Sequence, residues 1–298
     1  MNSIVEKQNS DQSIRLLKAQ RVMYSRAKSW QLSFEYSSVI VALALPAIYI
    51  LTPEHKTQAG FAATFLSLIA IAIDFYQKRL TKIAASIQDM FDRDVFRLDP
   101  GKFHGAVVIS SNEIIELAGK YKKDDVKNWY SENIDESIPQ RIAVILCQKA
   151  NLYWDSELRK KFKNVVWILI ALYFVLFVIA LAVVCKVTNV FIYDIGLLIT
   201  GSSAFIKYAV TVITEKSEMI KEKEKLNIEI DKMIETYSET SEEPKQSDLE
   251  DIQRIIFTSR KKSVKIPDVF YYWHKPNQEK NMNETTLAIV KDKLSKKE

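Results

Sequence analysis

Residues 165–185 read VVWILIALYFVLFVIALAVVC, without one charged side chain. At about 1.5 Å of rise per residue, a helix of that length covers the roughly 30 Å hydrocarbon core of a bilayer. Soluble helices this long normally carry a polar stripe, and this one has none. The stretch therefore reads as a membrane span, and the rest of the chain must be apportioned to the two sides of it.

Three further runs pass the same test: residues 36–52, 59–77 and 190–214. The first two are separated only by Pro53-Glu54-His55-Lys56-Thr57-Gln58, and the last follows residue 185 after Lys186-Val187-Thr188-Asn189. Such short connections allow only immediate returns, so the spans form two hairpins. Both termini and the central segment then share one side. Residues 1–31 carry six Lys and Arg, residues 78–164 sixteen and residues 215–298 seventeen, against Lys56 and Lys186 in the return loops. The positive-inside bias makes that shared side cytoplasmic.

The expected fold is mostly α. It has an N-terminal amphipathic segment (1–31), a first transmembrane hairpin (32–77), a cytosolic domain (78–164), a second hairpin (165–214), C-terminal cytosolic helices (215–275) and a polar tail (276–298). A net charge of +5 is accounted for by the basic flanks of the spans and gives no reason to invoke DNA or RNA. Two cysteines, Cys147 and Cys185, imply neither a disulfide framework nor a thiolate metal site. No cleavable signal peptide is expected, because about 35 mostly polar residues precede the first apolar run.

Residues 11–28 read as an amphipathic helix entering the membrane along its interface. Pro46 is expected to bend the first span. Leu80, Ile83, Ala84, Ile87, Met90 and Phe91 recur at helical spacing, so the second span should continue into the cytosol. Residues 102–109 have the composition of a short strand. Ser110-x-x-Glu113 has the form of a capping box, and Ser137 and Pro139 mark a helix that runs unbroken into residues 165–185. Met219, Leu226, Ile230, Met233 and Tyr237 fall on heptad a and d positions with Lys223 as the exception. Two readings stand for that stripe, a subunit-joining coiled coil and a helix packed on its own domain. Val269-Phe270-Tyr271-Tyr272-Trp273 forms an aromatic patch.

No nucleophile elbow, phosphate-cradling glycine loop or His and Cys pair at metal spacing is present, and His55, His104 and His274 stand alone. The chain reads as a non-enzyme needing no cofactor. Polar groups inside the spans say more, since each costs free energy in hydrocarbon, on the order of 2.5–3.5 kcal/mol for a mid-span Asp or Lys. Asp74 and Lys207 lie at comparable depth and either pair with each other or separately reach water and headgroups. Gly196, Thr200 and Ala204 stand four apart with Gly201, Ser202 and Ser203 between, which permits close helix packing. Alternatively Asp194, Thr200, Ser203 and Lys207 line a water-filled path in an oligomer.

Several segments resemble the SMODS-associated four-transmembrane family. They are Gln8-Asn9, Ala19-Gln20-Arg21-x-x-Tyr24-Ser25-x-Ala27-Lys28, Ile87-Gln88-Asp89-Met90-Phe91-Asp92 with Asp94-Val95-Phe96, Asn128-Trp129-Tyr130, Cys147-Gln148-Lys149-Ala150-Asn151, Trp154-Asp155-Ser156-Glu157-Leu158-Arg159 and Pro267-Asp268-x-Phe270-Tyr271. The likeness covers most of the chain, to about residue 275. It implies an oligomeric effector of the bacterial inner membrane. Its activating ligand would be a cyclic oligonucleotide made by a partner nucleotidyltransferase, and it would disrupt the bilayer in anti-phage defence. Such a ligand needs cations for its phosphates and flat faces for its bases, for which Arg93, Arg97, Trp129, Tyr130, Arg141 and Arg159 have the right chemistry. The alternative is a non-conducting anchor or scaffold that recruits a cytosolic partner through the heptad helix and the aromatic patch.

Overall fold

The long apolar runs do not end where the bilayer would. The computed structural model describes residues 2–99, 105–123, 125–187, 192–262 and 266–294, and for most of residues 35–56 and 180–216 it describes the backbone alone. Within it, each apolar run is one half of a helix whose other half is amphipathic. The four are α2 (Asp11–Leu51, 41 residues), α3 (Lys56–Phe96, 41 residues), α5 (Gln140–Val187, 48 residues) and α6 (Ile192–Thr240, 49 residues). At about 1.5 Å per residue such helices are at least twice as long as a bilayer core is thick. The remaining elements are α1 (Ile4–Gln8), α4 (Ser111–Gly119), α7 (Gln246–Lys262), α8 (Asp268–Ile289) and a π-helical turn, Val290–Leu294.

The helix ends follow local rules. A 3₁₀ turn, Pro53–His55, reverses the chain between α2 and α3. Arg97 ends α3 in the left-handed region at φ 57°, and its N–H and that of Leu98 close on the carbonyls of Arg93 and Asp94. Ser110 caps α4 by accepting from the Glu113 N–H at 3.2 Å, as the capping box predicts. α5 starts directly after Pro139 and runs without interruption through residues 165–185.

Two helices among the described residues, through Gly60–Phe96 and Gln140–Ile179, are long and apolar enough to cross a membrane. Only 7% and 11% of their apolar stretches is buried, with Phe61, Phe65, Ile71, Phe75, Trp167 and Leu172 facing outward. A core helix of a soluble domain would be largely covered, so this surface is that of a membrane protein. The other two expected spans fall on α2 and α6 where side chains lie outside the described residues, as does the bend expected at Pro46.

One core unites segments that the sequence suggests are separate. Leu16, Leu17 and Met23 of α2, Ile87 and Phe91 of α3, Ile142 and Ile145 of α5, Ile230 and Ile234 of α6 and Ile252 and Ile256 of α7 are all buried in it. Several expectations change accordingly. The apolar stripe of residues 11–28 is covered by protein instead of lying in the lipid interface, because burial among α3, α4 and α6 removes it from solvent more completely. The heptad stripe of α6 packs on its own domain, with Leu226 and Ile230 at 7% exposure or less and Met233 and Tyr237 partly buried against the core. Residues 276–294 are helical, not a loose tail: Ile289, Val290 and Leu294 rest on the core, and the Ser238 hydroxyl donates to the Lys293 carbonyl at 2.8 Å. No strand occurs among the described residues; of the stretch 102–109, residues 105–109 are irregular and 102–104 lie outside the description.

Candidate functional site

The site is built on a buried ionic floor. Asp92 is fully buried on α3 and accepts from the Tyr130 hydroxyl at 2.6 Å, Arg260 Nη1 at 2.5 Å and Gln253 Nε2 at 3.0 Å. Asp89, one turn earlier, accepts from Gln253 at 2.8 Å and from Arg93 Nε at 2.7 Å. Arg93 also reaches Glu250 at 2.7 Å and the Asp99 carbonyl at 2.8 Å. The Tyr130 hydroxyl in turn accepts from Asn151 at 2.9 Å. Burial, then the Asp92 charge, holds the Tyr130 phenol well above its ordinary range, so it stays a donor. These bonds fix α3, α5, α7 and the 120–139 connection to one another.

The connection that carries Trp129 and Tyr130 is pinned from the N-terminus. Asn128 takes φ 51°, a conformation Asn tolerates better than most residues. It exchanges two bonds with Asn9, Nδ2 to Oδ1 at 2.8 Å and N–H to Oδ1 at 3.0 Å. Gln8 does the same with the Tyr130 backbone, at 2.6 and 3.3 Å. Two adjacent amides thereby set the direction of both aromatic rings.

Above the floor opens a cavity of about 200 Å³, walled by α2, α5, α6, α7, α8 and the Trp129 segment. Seven cationic side chains and four carboxylates line it, an excess of positive charge. At its centre the Arg21 guanidinium sits 5.1 Å from the Trp129 ring and 4.8 Å from the Tyr271 ring, and donates to the Tyr271 hydroxyl at 2.8 Å. Arg21 is 9% exposed, and its Nε is buried without a hydrogen-bond partner. A buried donor left unpaired costs about 1–3 kcal/mol, more when it is charged. Trp154 stacks on Tyr271, with centroids 6.4 Å apart and planes 12° from parallel.

Lys28, Arg159, Lys223 and Lys275 are held by carboxylates. Lys28 bonds Asp268 at the start of α8, and burial lowers its pKa against that opposing charge. Arg159 Nε donates to Asp155 at 2.7 Å, and Lys223 bonds the same oxygen. Burial, then the charge of Arg260, brings the Lys223 amine down to about 7. Lys275 lies 3.4 Å from Glu279 and 3.9 Å from Asp125. Among the described residues, no nucleophile and base stand together here. Cationic forks beside flat ring faces suit anionic, planar ligands.

Of the six ligand candidates from sequence, Trp129, Tyr130 and Arg159 line the cavity. Arg93 lies below it with its charge taken up by Asp89 and Glu250. Arg97 is exposed and donates to Ser3 at 2.7 Å, and Arg141 is exposed beside Glu243 at 3.9 Å; neither is brought to the site. Asp74 is exposed and paired with Lys78 at 2.7 Å on its own helix. The side chains of Asp194, Gly196, Thr200, Gly201, Ser203 and Lys207, all on α6, lie outside the described residues. Sequence reasoning did not select Arg21, Lys28, Lys223, Arg260, Tyr271 and Lys275 as ligand contacts. The signal for Lys223 was present, as the one charged residue on an otherwise apolar stripe.

A family model described as SMODS-associating 4TM effector domain matches residues 2–289. A probable CBASS effector molecule from Bacillus cereus (strain VD146) is 23% identical over 303 residues, covering 97% of this chain and 98% of the relative. No solved structure matches.

Proposed function

The chain belongs to the SMODS-associating 4TM effector domain family, and on that premise we propose that it is an anti-phage effector of the bacterial inner membrane. Its cavity takes a cyclic oligonucleotide from a partner nucleotidyltransferase, and its four spans, assembled between copies, then breach the bilayer. The termini and the helical domain face the cytoplasm, in keeping with the basic flanks of the spans. The observation that carries the reading is Arg21, held between two aromatic rings with a buried N–H to spare. A phosphate oxygen is a natural acceptor for that donor, and the rings beside it offer faces to a base.

Continuity supplies the coupling. Lys28 on α2 precedes the first span by eight residues, Arg159 on α5 precedes the third by six, and Lys223 on α6 follows the fourth by nine. Those separations are about 9–14 Å along unbroken helices. A ligand that draws the three side chains together displaces the ends of three spans, provided it binds the open arrangement more tightly than the closed one.

Purified protein in dye-loaded liposomes, challenged with a panel of cyclic di- and trinucleotides, tests the reading. Dye release with one of them is expected, as is loss of both binding and release in Arg21→Ala, by about tenfold or more in affinity. Tight binding without release would remove the membrane-breaching step. Unaltered binding by Arg21→Ala would remove the cavity.

A further inference from the structure

We propose that the first two turns of α8 lie in the lipid headgroup layer, with Val269 and Trp273 inserted toward the acyl chains. α8 thus touches the bilayer with one face and the cavity with the other. Val269 and Trp273 are one helical turn apart, so they share a face, and they are 85% and 77% exposed. Tyr271, on the opposite side of the helix, and Tyr272, on its flank, line the cavity.

The depth of the segment follows from what it packs on. Ile266, just before the helix, is buried in a small cluster with Leu158, Phe162 and Val166, and Phe270 meets Phe162 at 5.3 Å. Ile170 and Ile213 flank the same cluster. Val166 and Ile170 lie within the first six residues of the apolar run 165–185, and Ile213 is next to the last residue of the run 190–214. Residues 266–270 are therefore level with the point where two spans leave the hydrocarbon.

A second set of contacts gives the same level on the other hairpin. Asp268 bonds Lys28, and two residues further along α2 Trp30 packs edge-on against Tyr76 at 5.4 Å, both rings about half exposed. Aromatic rings at that depth are the usual belt of a membrane protein, and Trp273 extends the belt onto α8. An exposed apolar pair at this height meets lipid before it meets any soluble partner. The basic residues Lys261 and Lys262 at the end of α7 lead into the segment and suit anionic headgroups.

The test uses the full chain in vesicles of phosphatidylcholine and phosphatidylglycerol, without nucleotide. Subtracting the fluorescence of Trp273→Phe from that of the unmodified protein isolates the Trp273 signal. The expected difference spectrum is blue-shifted, quenched by lipids brominated near the top of the acyl chain and insensitive to aqueous iodide. A red-shifted difference quenched by iodide would overturn the proposal, since the face would then be open to water. Insensitivity to both quenchers, with a cysteine at position 269 cross-linking between copies, would overturn it in favour of a subunit contact. Val269→Asp adds a readout independent of fluorescence: in the same vesicles, protease cleavage near residue 269 is expected to rise several-fold, and unchanged cleavage would count against insertion.

Discussion

Replacing Lys223 with Met tests the cavity's electrostatics directly. Lys223 occupies a position where the α6 stripe asks for an apolar side chain, is 3% exposed, and faces Asp155 and Arg159 of α5 and Arg260 of α7. Its pKa falls from an ordinary 10.5 to about 7. At about 1.4 kcal/mol for each factor of ten, that drop corresponds to a ceiling of about 5 kcal/mol of destabilisation by the charged form. Asp155 returns part of it: a pair about 4 Å apart at an effective dielectric of about 20 is worth roughly 4 kcal/mol, less here because Asp155 is partly exposed and shared with Arg159. A net penalty of about 2 kcal/mol remains. Because the folded pKa lies below the unfolded one, the penalty is fully present while the amine is charged in both states and fades as the pH rises through the folded pKa toward 10.5. The Lys223→Met protein should therefore melt about 5 °C above the unmodified protein at pH 6, and the gap should close by about pH 10. Thermal melting of both proteins in nanodiscs at pH 6, 8 and 10 measures this, and the difference between them cancels other titrating groups. A variant that melts lower at pH 6, or a gap independent of pH, would refute the reasoning.

Other perturbations follow from the same geometry. Asp92→Ala leaves Arg260 buried without its carboxylate and should cost about 3–5 kcal/mol, seen as a large loss of thermal stability. Arg97→Ala and Arg141→Ala, both outside the cavity, should leave nucleotide affinity within about 0.5 kcal/mol of the unmodified protein by calorimetry. Gly201→Trp on α6 should abolish dye release while nucleotide binding is kept, since the substitution blocks close approach between spans and not the cavity.

What hydropathy made legible was the part of the fold governed by solvent. Residues 165–185 and 59–77 had to leave water, and the α5 and α3 surfaces they form are uncovered by protein. Continuation of the helices beyond the apolar runs was equally readable, because Ile87 and Phe91 keep the helical period after the charges begin. Partners were not readable. A stripe such as Leu16, Leu17 and Met23 looks the same whether lipid, a second copy or this chain's own α3 covers it. The same limit governed the arginines. Arg93 was selected for its charge, yet one of the carboxylates that takes up that charge is 157 residues away at Glu250. Trp129 and Arg159 line the cavity and lie in segments that carry the family resemblance, and those segments do converge: Gln8 and Asn9 hold the backbone of Asn128 and Tyr130, whose ring rests on Asp92.

The cavity's walls are not held equally, and that asymmetry bears on how a ligand would act. On the α3, α5 and α7 side, Asp92 has three donors and Arg93 three acceptors, so an added anion would displace existing bonds and gain little. On the α2 and α8 side, Arg21 has a buried N–H unsatisfied, and Lys28 has as its bonded carboxylate Asp268, whose side chain is 40% exposed. Lys223 shares its carboxylate with Arg159. An incoming phosphate therefore gains most where α2, α6 and α8 meet. Of these, α2 and α6 continue into apolar runs, whereas α8 packs beside the ends of two others. In the proposed mechanism, the free energy of binding would act on the helices that reach the bilayer, against a floor that stays fixed. A ligand-driven shift from about 1% to about 99% open needs roughly 5.5 kcal/mol of differential affinity. One newly satisfied buried guanidinium N–H and one or two redirected lysines are of that size when the acceptor is a phosphate.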